Sequence, residues 1–197
     1  MNVEELVKEL KAVANPDNAV AMKAYMKNKF EFLGAKTPAR RKLTKAFFKQ
    51  QTDFVIDWDF INEAWSNSYR EMQYAALDYL EIRKKLLTPS DLPRLKKLAQ
   101  TKSWWDTIDF LDRVVWSIIA QFPETKEIIL SCSCNEDIGL RRLAIDHLLL
   151  RKEETDTELL ENILVNNLGQ TEFFINKAIG WALRDDSKTN ADWVREF

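Results

Sequence analysis

The sequence predicts an all-α protein, an α-solenoid of paired helices, on three observations. The chain of 197 residues is 46% hydrophobic but has only 4 Gly and 5 Pro, whereas sheets joined by tight hairpins need such residues at their turns. Apolar residues recur at about 3.6-residue spacing almost throughout. A short pattern also repeats at a fixed interval along the chain. Together these observations favour one repeat domain over residues 1–197, with a concave groove.

Stop and start residues divide the chain into about twelve helices. Pro16 suits the start of the second helix and Gly34 its end. Thr37 and Pro38 are expected to open the third helix as N-cap and first helical residue. The predicted helices cover, in order, residues 3–10, 19–30 (with a start near 16), 37–50, 54–65, 69–85, 90–100, 103–121, 124–131, 137–151, 156–168, 171–185 and 190–197.

The repeated pattern is apolar, with a small residue at its second position. It stands at residues 75–80, 109–114, 143–148 and 177–182. Three copies carry Ala76, Ala144 or Ala178 at that position, and the first three copies share an Asp at the fourth. A period of 34 residues with two helices per unit is typical of an α-solenoid, whose concave face commonly binds an extended ligand.

Composition excludes several classes of function. The net charge is −2, so a nucleic-acid partner would have to depend on local basic patches. Neither a secretory signal nor an apolar run long enough to cross a membrane is present, which predicts a cytoplasmic protein. Cys132 and Cys134 are too few for a zinc site and are expected to be reduced. The four glycines are dispersed and His147 is the only histidine, so we expect neither metal nor cofactor.

Four polar or aromatic side chains replace the residues expected from the repeat. Trp105 and Asp109 are four residues apart and share a helix face. Arg142 shortly precedes Ala144 in its copy, and Trp181 takes the place held by Tyr79 and His147 in other copies. Repeats stacked in register could bring all four side chains to one groove. Two other interpretations remain open: Asp109 could form an ordinary helix salt bridge with Arg113, and the two indoles could be core residues.

Positive and negative charges nearly cancel over the whole chain, but one segment is strongly basic. Residues 33–51 contain six basic side chains and no acidic one. Thr37, Arg40 and Arg41 stand at the expected start of a helix, where backbone N–H groups and guanidiniums can bind a phosphate.

Four segments resemble the AlkD-type DNA alkylation repair glycosylases, which are built from HEAT-like repeats, and the resemblance covers nearly the whole chain. The segments are Tyr25-Met26-Lys27-Asn28-Lys29-Phe30-Glu31-Phe32-Leu33-Gly34, Thr37-Pro38-Ala39-Arg40-Arg41, Thr101-Lys102-Ser103-Trp104-Trp105-Asp106-Thr107-Ile108-Asp109 and Glu172-Phe173-Phe174-Ile175-Asn176-Lys177-Ala178-Ile179-Gly180-Trp181. The resemblance implies a monomeric, monofunctional DNA glycosylase, which removes N3- or N7-alkylated purines from double-stranded DNA without swinging the base into a pocket.

The resemblance also implies roles for particular residues. Asp109 would stabilise the oxocarbenium-like sugar and orient the attacking water. Trp105 and Trp181 would flank the sugar and backbone at the lesion, and Arg142 would hold a phosphate nearby. The remaining expected DNA contacts are Tyr25, Thr37, Arg40, Arg41 and Arg151.

The chain departs from the family pattern in three places. Ile138 and Gly139 stand where relatives usually carry a Trp before the Arg pair, Leu150 replaces a lysine that contacts DNA, and relatives continue beyond Phe197 through another basic segment. Two alternatives to a glycosylase are therefore a DNA-binding paralogue without excision activity and a protein-binding repeat scaffold.

Overall fold

The structure is a computed structural model that describes residues 1–50 and 54–197. These residues form twelve α-helices and four short 3₁₀ turns, with one isolated β-bridge and no strand. The helices are α1 (Val3–Ala12), α2 (Pro16–Tyr25), α3 (Thr37–Lys49), α4 (Trp58–Ser66), α5 (Arg70–Arg83), α6 (Leu92–Gln100), α7 (Trp105–Gln121), α8 (Lys126–Ser133), α9 (Ile138–Asp146), α10 (Thr157–Val165), α11 (Phe173–Asp186) and α12 (Ala191–Glu196). The all-helical prediction is confirmed.

Several predicted boundaries differ from the structure, among them the start of the fourth helix, which is Trp58 instead of residue 54. Three differences have a local reason. Helix α2 ends at Tyr25 instead of residue 30, because Lys27 and Asn28 have φ values of 56° and 57°, which an α-helix does not accommodate. Helix α9 ends at Asp146 instead of residue 151, ahead of Leu150 at φ 64°. Lys36, not Thr37, is the N-cap of α3, and no side chain caps that helix.

The chain divides into two compact units, 1–86 and 87–197, each with its own core. In the first unit, α5 packs against α3 and α4, and Ala75 and Ala76 are fully buried. In the second unit α9 is central, since it packs against α6, α7, α8, α10 and α11. Ala144 of α9 and Ala178 of α11 are fully buried. Replacing such an alanine with a larger residue would overpack the interface between the helices and lower the stability by about 1–3 kcal/mol.

A buried carboxylate fixes the segment between α2 and α3. Glu71 is fully buried and accepts hydrogen bonds from the backbone N–H groups of Leu33, Gly34 and Ala35, at 3.1, 2.8 and 3.2 Å. Gly34 has φ 85°, and a Cβ there would lie 2.0 Å from the carbonyl oxygen of Asn15. Only glycine is therefore compatible with this turn.

The described helices are all too short or too polar to cross a membrane.

Candidate functional site

The start of α7 presents Trp105 and Asp109 on one face. Trp104 is the N-cap, and the hydroxyl of Thr107 donates to its carbonyl oxygen at 3.0 Å. Trp105 is then the first helical residue, and Asp109 follows one turn later. Both side chains are partly buried, so their predicted common face is formed by the local geometry of the helix.

Arg142 of α9 holds the carboxylate of Asp109. Its Nη2 and Nε atoms donate to the same oxygen, Oδ1, at 2.6 and 3.1 Å. Its Nη1 atom donates to the carbonyl oxygen of Phe174 at 3.0 Å. The side chain of Arg142 is 3% exposed and that of Asp109 is 26% exposed. A buried guanidinium with three such bonds is held in one orientation and fixes the carboxylate that it contacts.

Trp181 of α11 lies against two cations. The guanidinium of Arg142 is 5.4 Å from the centre of its ring, and Nζ of Lys177 is 4.8 Å from it. Both distances are in the range of a cation–π contact. The indole is therefore anchored to the same arginine that holds Asp109.

Asp109 opens into a groove of about 510 Å³, which Trp181 also lines. The other lining residues include four basic side chains, Arg113, Arg151, Arg184 and Lys188, and two acidic ones, Asp112 and Asp185. The acidic pair lies 3.8 Å from Arg113 and 3.0 Å from Lys188, respectively. A second cavity of about 490 Å³ is lined by Trp105, Arg142 and Phe174 among others. Arg142 lines the second cavity and binds the carboxylate of Asp109, which lines the first.

The titration of the site is set mainly by burial. Burial raises the pKa of the Asp109 carboxyl, and the positive charge and hydrogen bonds of Arg142 oppose that rise. Burial also raises the pKa of Asp146, one turn after Arg142, to about 7. His147 is fully buried, which lowers its pKa to about 4. Its Nδ1 atom lies 2.6 Å from the carbonyl oxygen of Ala144, so the only histidine is a neutral core residue.

The basic segment of the first unit is divided between core and surface. Arg40, expected to contact DNA, is 4% exposed. Its guanidinium forms a buried ion pair with Asp78 and lies 4.9 Å from the ring centre of Tyr74. We correct that expectation: in this fold Arg40 is a core residue. Thr37, on the first turn of α3, is exposed, and so are Arg41 and Tyr25.

The remaining predicted position borders the groove beside Asp109. Arg151 is partly buried, with its guanidinium 4.2 Å from the ring centre of Trp116 and its Nε donating to the carbonyl oxygen of His147 at 3.1 Å. Leu150 is 65% exposed on the same groove. The lysine that the resemblance leads us to expect at this position is therefore absent.

Sequence reasoning missed two charged residues of the site. Lys177 contacts the ring of Trp181, and its charge opposes the rise that burial causes in the pKa of Asp109. The sequence could have indicated Lys177, because it stands four residues before Trp181 and hence on the same helix face. Asp146 was noted only as a repeat position, although Arg142 lies four residues before it.

Within residues 1–50 and 54–197, no three His, Cys, Asp or Glu side chains are grouped so that they could hold a metal ion.

The repeated helices and the Asp109–Arg142 site define a helical-repeat protein with a carboxylate at a basic groove. The chain belongs to the DNA alkylation repair enzyme family, whose model matches residues 6–197. A solved structure from Enterococcus faecalis, described as a predicted DNA alkylation repair enzyme, is similar to it with a TM-score of 0.84 and 32% sequence identity. That similarity covers 93% of this chain and 87% of the other. Curated protein sequences give no match.

Proposed function

We propose that this protein is a monofunctional DNA glycosylase that hydrolyses the N-glycosidic bond of N3- or N7-alkylated purines in double-stranded DNA. One observation carries the proposal: a carboxylate, Asp109, is held by a buried arginine at a groove with a basic rim. In this proposal the enzyme acts as a cytoplasmic monomer, needs no cofactor or metal, and leaves the base in the groove.

The chemistry needs only a fixed negative charge and a water molecule. An N3- or N7-alkylated purine carries a positive charge, so its bond to the sugar is weak. As the C1′–N bond breaks, its electron pair neutralises the base and positive charge develops on the sugar. Asp109 would stabilise that charge in a partly desolvated site. The oxygen of a water oriented by Asp109 then bonds to C1′, and the proton that this water loses passes to the Asp109 carboxylate and from there to solvent.

The two indoles suit the surroundings of such a transition state. Trp181 lines the groove with Asp109, and Trp105 stands one turn before Asp109 on α7. Aromatic faces exclude water and attract cations, so both would favour the charged lesion and the developing charge on the sugar. The anchoring of Trp181 on Arg142 and Lys177 would keep its ring in place without substrate.

The basic side chains supply contacts to the phosphate backbone. Four of them surround the groove of Asp109: Arg113, Arg151, Arg184 and Lys188. We include the exposed Tyr25, Thr37 and Arg41 of the first unit as further DNA contacts. Backbone contacts position a duplex without reading its sequence, which suits an enzyme that must act wherever alkylation occurs. For Arg142 we propose the orientation of Asp109 in place of a phosphate contact, since its donors are bonded to Asp109 and to the carbonyl oxygen of Phe174.

The test is base release from a duplex with a single 7-methylguanine. We expect the wild type to release the base and Asp109→Asn to lose about 100-fold or more in single-turnover rate, with duplex affinity retained. Asp106→Asn, a half-buried acid of the same helix, is the matched control and should keep most activity. A wild type that binds the duplex but releases nothing would show a non-excising paralogue, and absence of binding would favour a protein-binding scaffold.

A further inference from the structure

One guanidinium serves two carboxylates in the second unit. The Nε atom of Arg142 lies 3.1 Å from Oδ1 of Asp109 and 3.0 Å from Oδ2 of Asp146. Asp146 is on the same helix, one turn later, and is fully buried. Neither of its oxygens accepts an aligned hydrogen bond from a described residue, and a hydrogen bond with the Asp109 carboxylate favours its protonated form. A buried carboxylate that depends on one ion pair is costly for the fold, so its presence calls for an explanation.

Charge balance at the site gives that explanation. Arg142 by itself neutralises Asp109, and a neutral ion pair is a weak stabiliser of a neighbouring cation. A second carboxylate on the same guanidinium restores a net negative charge. We propose that Asp146 is a positioning residue, the second counter-ion of Arg142, which leaves the charge of Asp109 available to the cationic transition state. This inference rests on the proposed glycosylase function.

The other charges around Asp146 come from three helices. Asp109 and Asp112 of α7 and Arg142 of α9 interact with Asp146 itself. In the layer around them, Arg113 and Arg151 act on Asp112, and Lys177 of α11 acts on Asp109. Asp112 is 5% exposed, and burial, followed by the charge of Asp146, raises its pKa well above the ordinary value. His147 next to Asp146 is neutral above about pH 4. Arg142 is thus the one cation in ion-pair contact with Asp146 among the described residues.

The group formed by Asp109, Arg142 and Asp146 loses a proton near neutral pH. Burial is the main reason that the pKa of Asp146 rises to about 7, and the nearby charge of Asp109 adds to the rise against the attraction of Arg142. Two carboxyls on one guanidinium titrate as a coupled pair, whose apparent pKa values belong to both. Below this pH the Asp109–Arg142–Asp146 group has no net charge, and above it the group carries one negative charge.

The activity test is a pH profile of the single-turnover rate at saturating protein, from about pH 5.5 to 8.5. We expect the wild-type rate to rise about tenfold over the pH range in which the group loses its proton. An effect of this size is expected for one added charge in a protein environment. Asp146→Asn should stay at the low-pH rate. The control is Asp186→Asn. Asp186 is a buried acid of α11 whose Oδ1 accepts a hydrogen bond from Nδ2 of Asn190 at 2.9 Å. This variant should keep the tenfold rise of the rate with pH. Asp146→Asn with the wild-type rate and profile would overturn the inference.

A titration without DNA separates this inference from the proposed function. In protein labelled with carbon-13 at the Asp carboxyls, NMR should show one carboxyl titrating near pH 7 that is missing in Asp146→Asn. Asp109→Asn should move that titration to lower pH, because it removes a neighbouring negative charge. If the wild type releases no base, the function fails while the coupling is still measured here. No titration near pH 7, or one that persists in Asp146→Asn, would overturn the coupling itself.

Discussion

Arg142 donates two hydrogen bonds to a single oxygen of Asp109, from a guanidinium that is almost wholly buried. The carboxylate that these bonds orient is still 26% exposed. This arrangement is more specific than a surface ion pair, because a third bond to the carbonyl of Phe174 fixes the guanidinium to α11. The orientation of Asp109 therefore depends on the contact of α9 with two neighbouring helices.

Arg142→Lys should lower the excision rate by about 10- to 100-fold with little change in duplex affinity. A lysine keeps the charge but cannot present three donors in one plane, so Asp109 would lose its fixed orientation. The single-turnover rate and Kd on 7-methylguanine duplex measure the two effects. Arg141→Lys is the matched control, since Nε of Arg141 donates to Asn167 at 2.8 Å away from Asp109. Equal losses in the two variants would contradict a special role for Arg142.

Substitutions of Arg40 and Arg41 should have different effects: the first should lower stability, and the second should weaken duplex binding. Arg40→Gln leaves Asp78 buried with a much weaker partner, which should cost about 3–5 kcal/mol in the free energy of unfolding. Arg41 has a side chain that is 53% exposed and 3.7 Å from Asp78, so Arg41→Gln should cost under about 1 kcal/mol. It should instead weaken duplex binding and reduce its dependence on salt. Urea denaturation and salt-dependent Kd values measure both variants; a stable Arg40→Gln would refute the core role.

The sequence was sufficient for the helical class and for the repeat, because both depend on periodic apolar residues that the structure buries. It could not separate Arg40 from Arg41, since neighbours in a charged run look alike until the helix is docked on its unit. It also could not show that Arg142 grips Asp109, because that contact joins residues 33 positions apart on two helices. Positive-φ residues such as Lys27 and Leu150 likewise shortened helices whose apolar pattern continues.

Two buried groups at the C-terminal end of α9, Asp146 and the C-cap His147, should make stability depend on pH in opposite directions. The pKa of Asp146 is raised to about 7, so the folded protein binds this proton more tightly and ionisation lowers stability as pH rises from about 4 to 7. The pKa of His147 is lowered to about 4, so its contribution rises with pH from about 4 to 6.5. Each effect is of the order of 3 kcal/mol. Urea unfolding of Asp146→Asn should therefore show a free energy that rises more steeply with pH than the wild type; parallel curves would contradict the assignment.

Arg40 and Arg142 are 102 residues apart (142 minus 40), three times the 34-residue period, and thus occupy the same repeat position. Arg40 pairs with Asp78, 38 residues further along the chain. The residue 38 positions after Arg142 is Gly180, which has no carboxylate to offer. Arg142 therefore lacks the carboxylate that pairs with Arg40, and its guanidinium contacts Asp146 of its own helix and Asp109 of α7 instead.

Gly180→Asp should restore the missing partner and draw Arg142 away from Asp109. A Cβ at Gly180 meets nothing within 4 Å, so the side chain has room, and stability should change by under about 1 kcal/mol. We expect the single-turnover excision rate to fall about tenfold, because the divided guanidinium holds Asp109 less firmly. Gly180→Asn has nearly the same shape without the charge and should keep the wild-type rate. An equal loss in both variants would show a steric effect, and no loss in either would show that the repeat position alone does not direct Arg142.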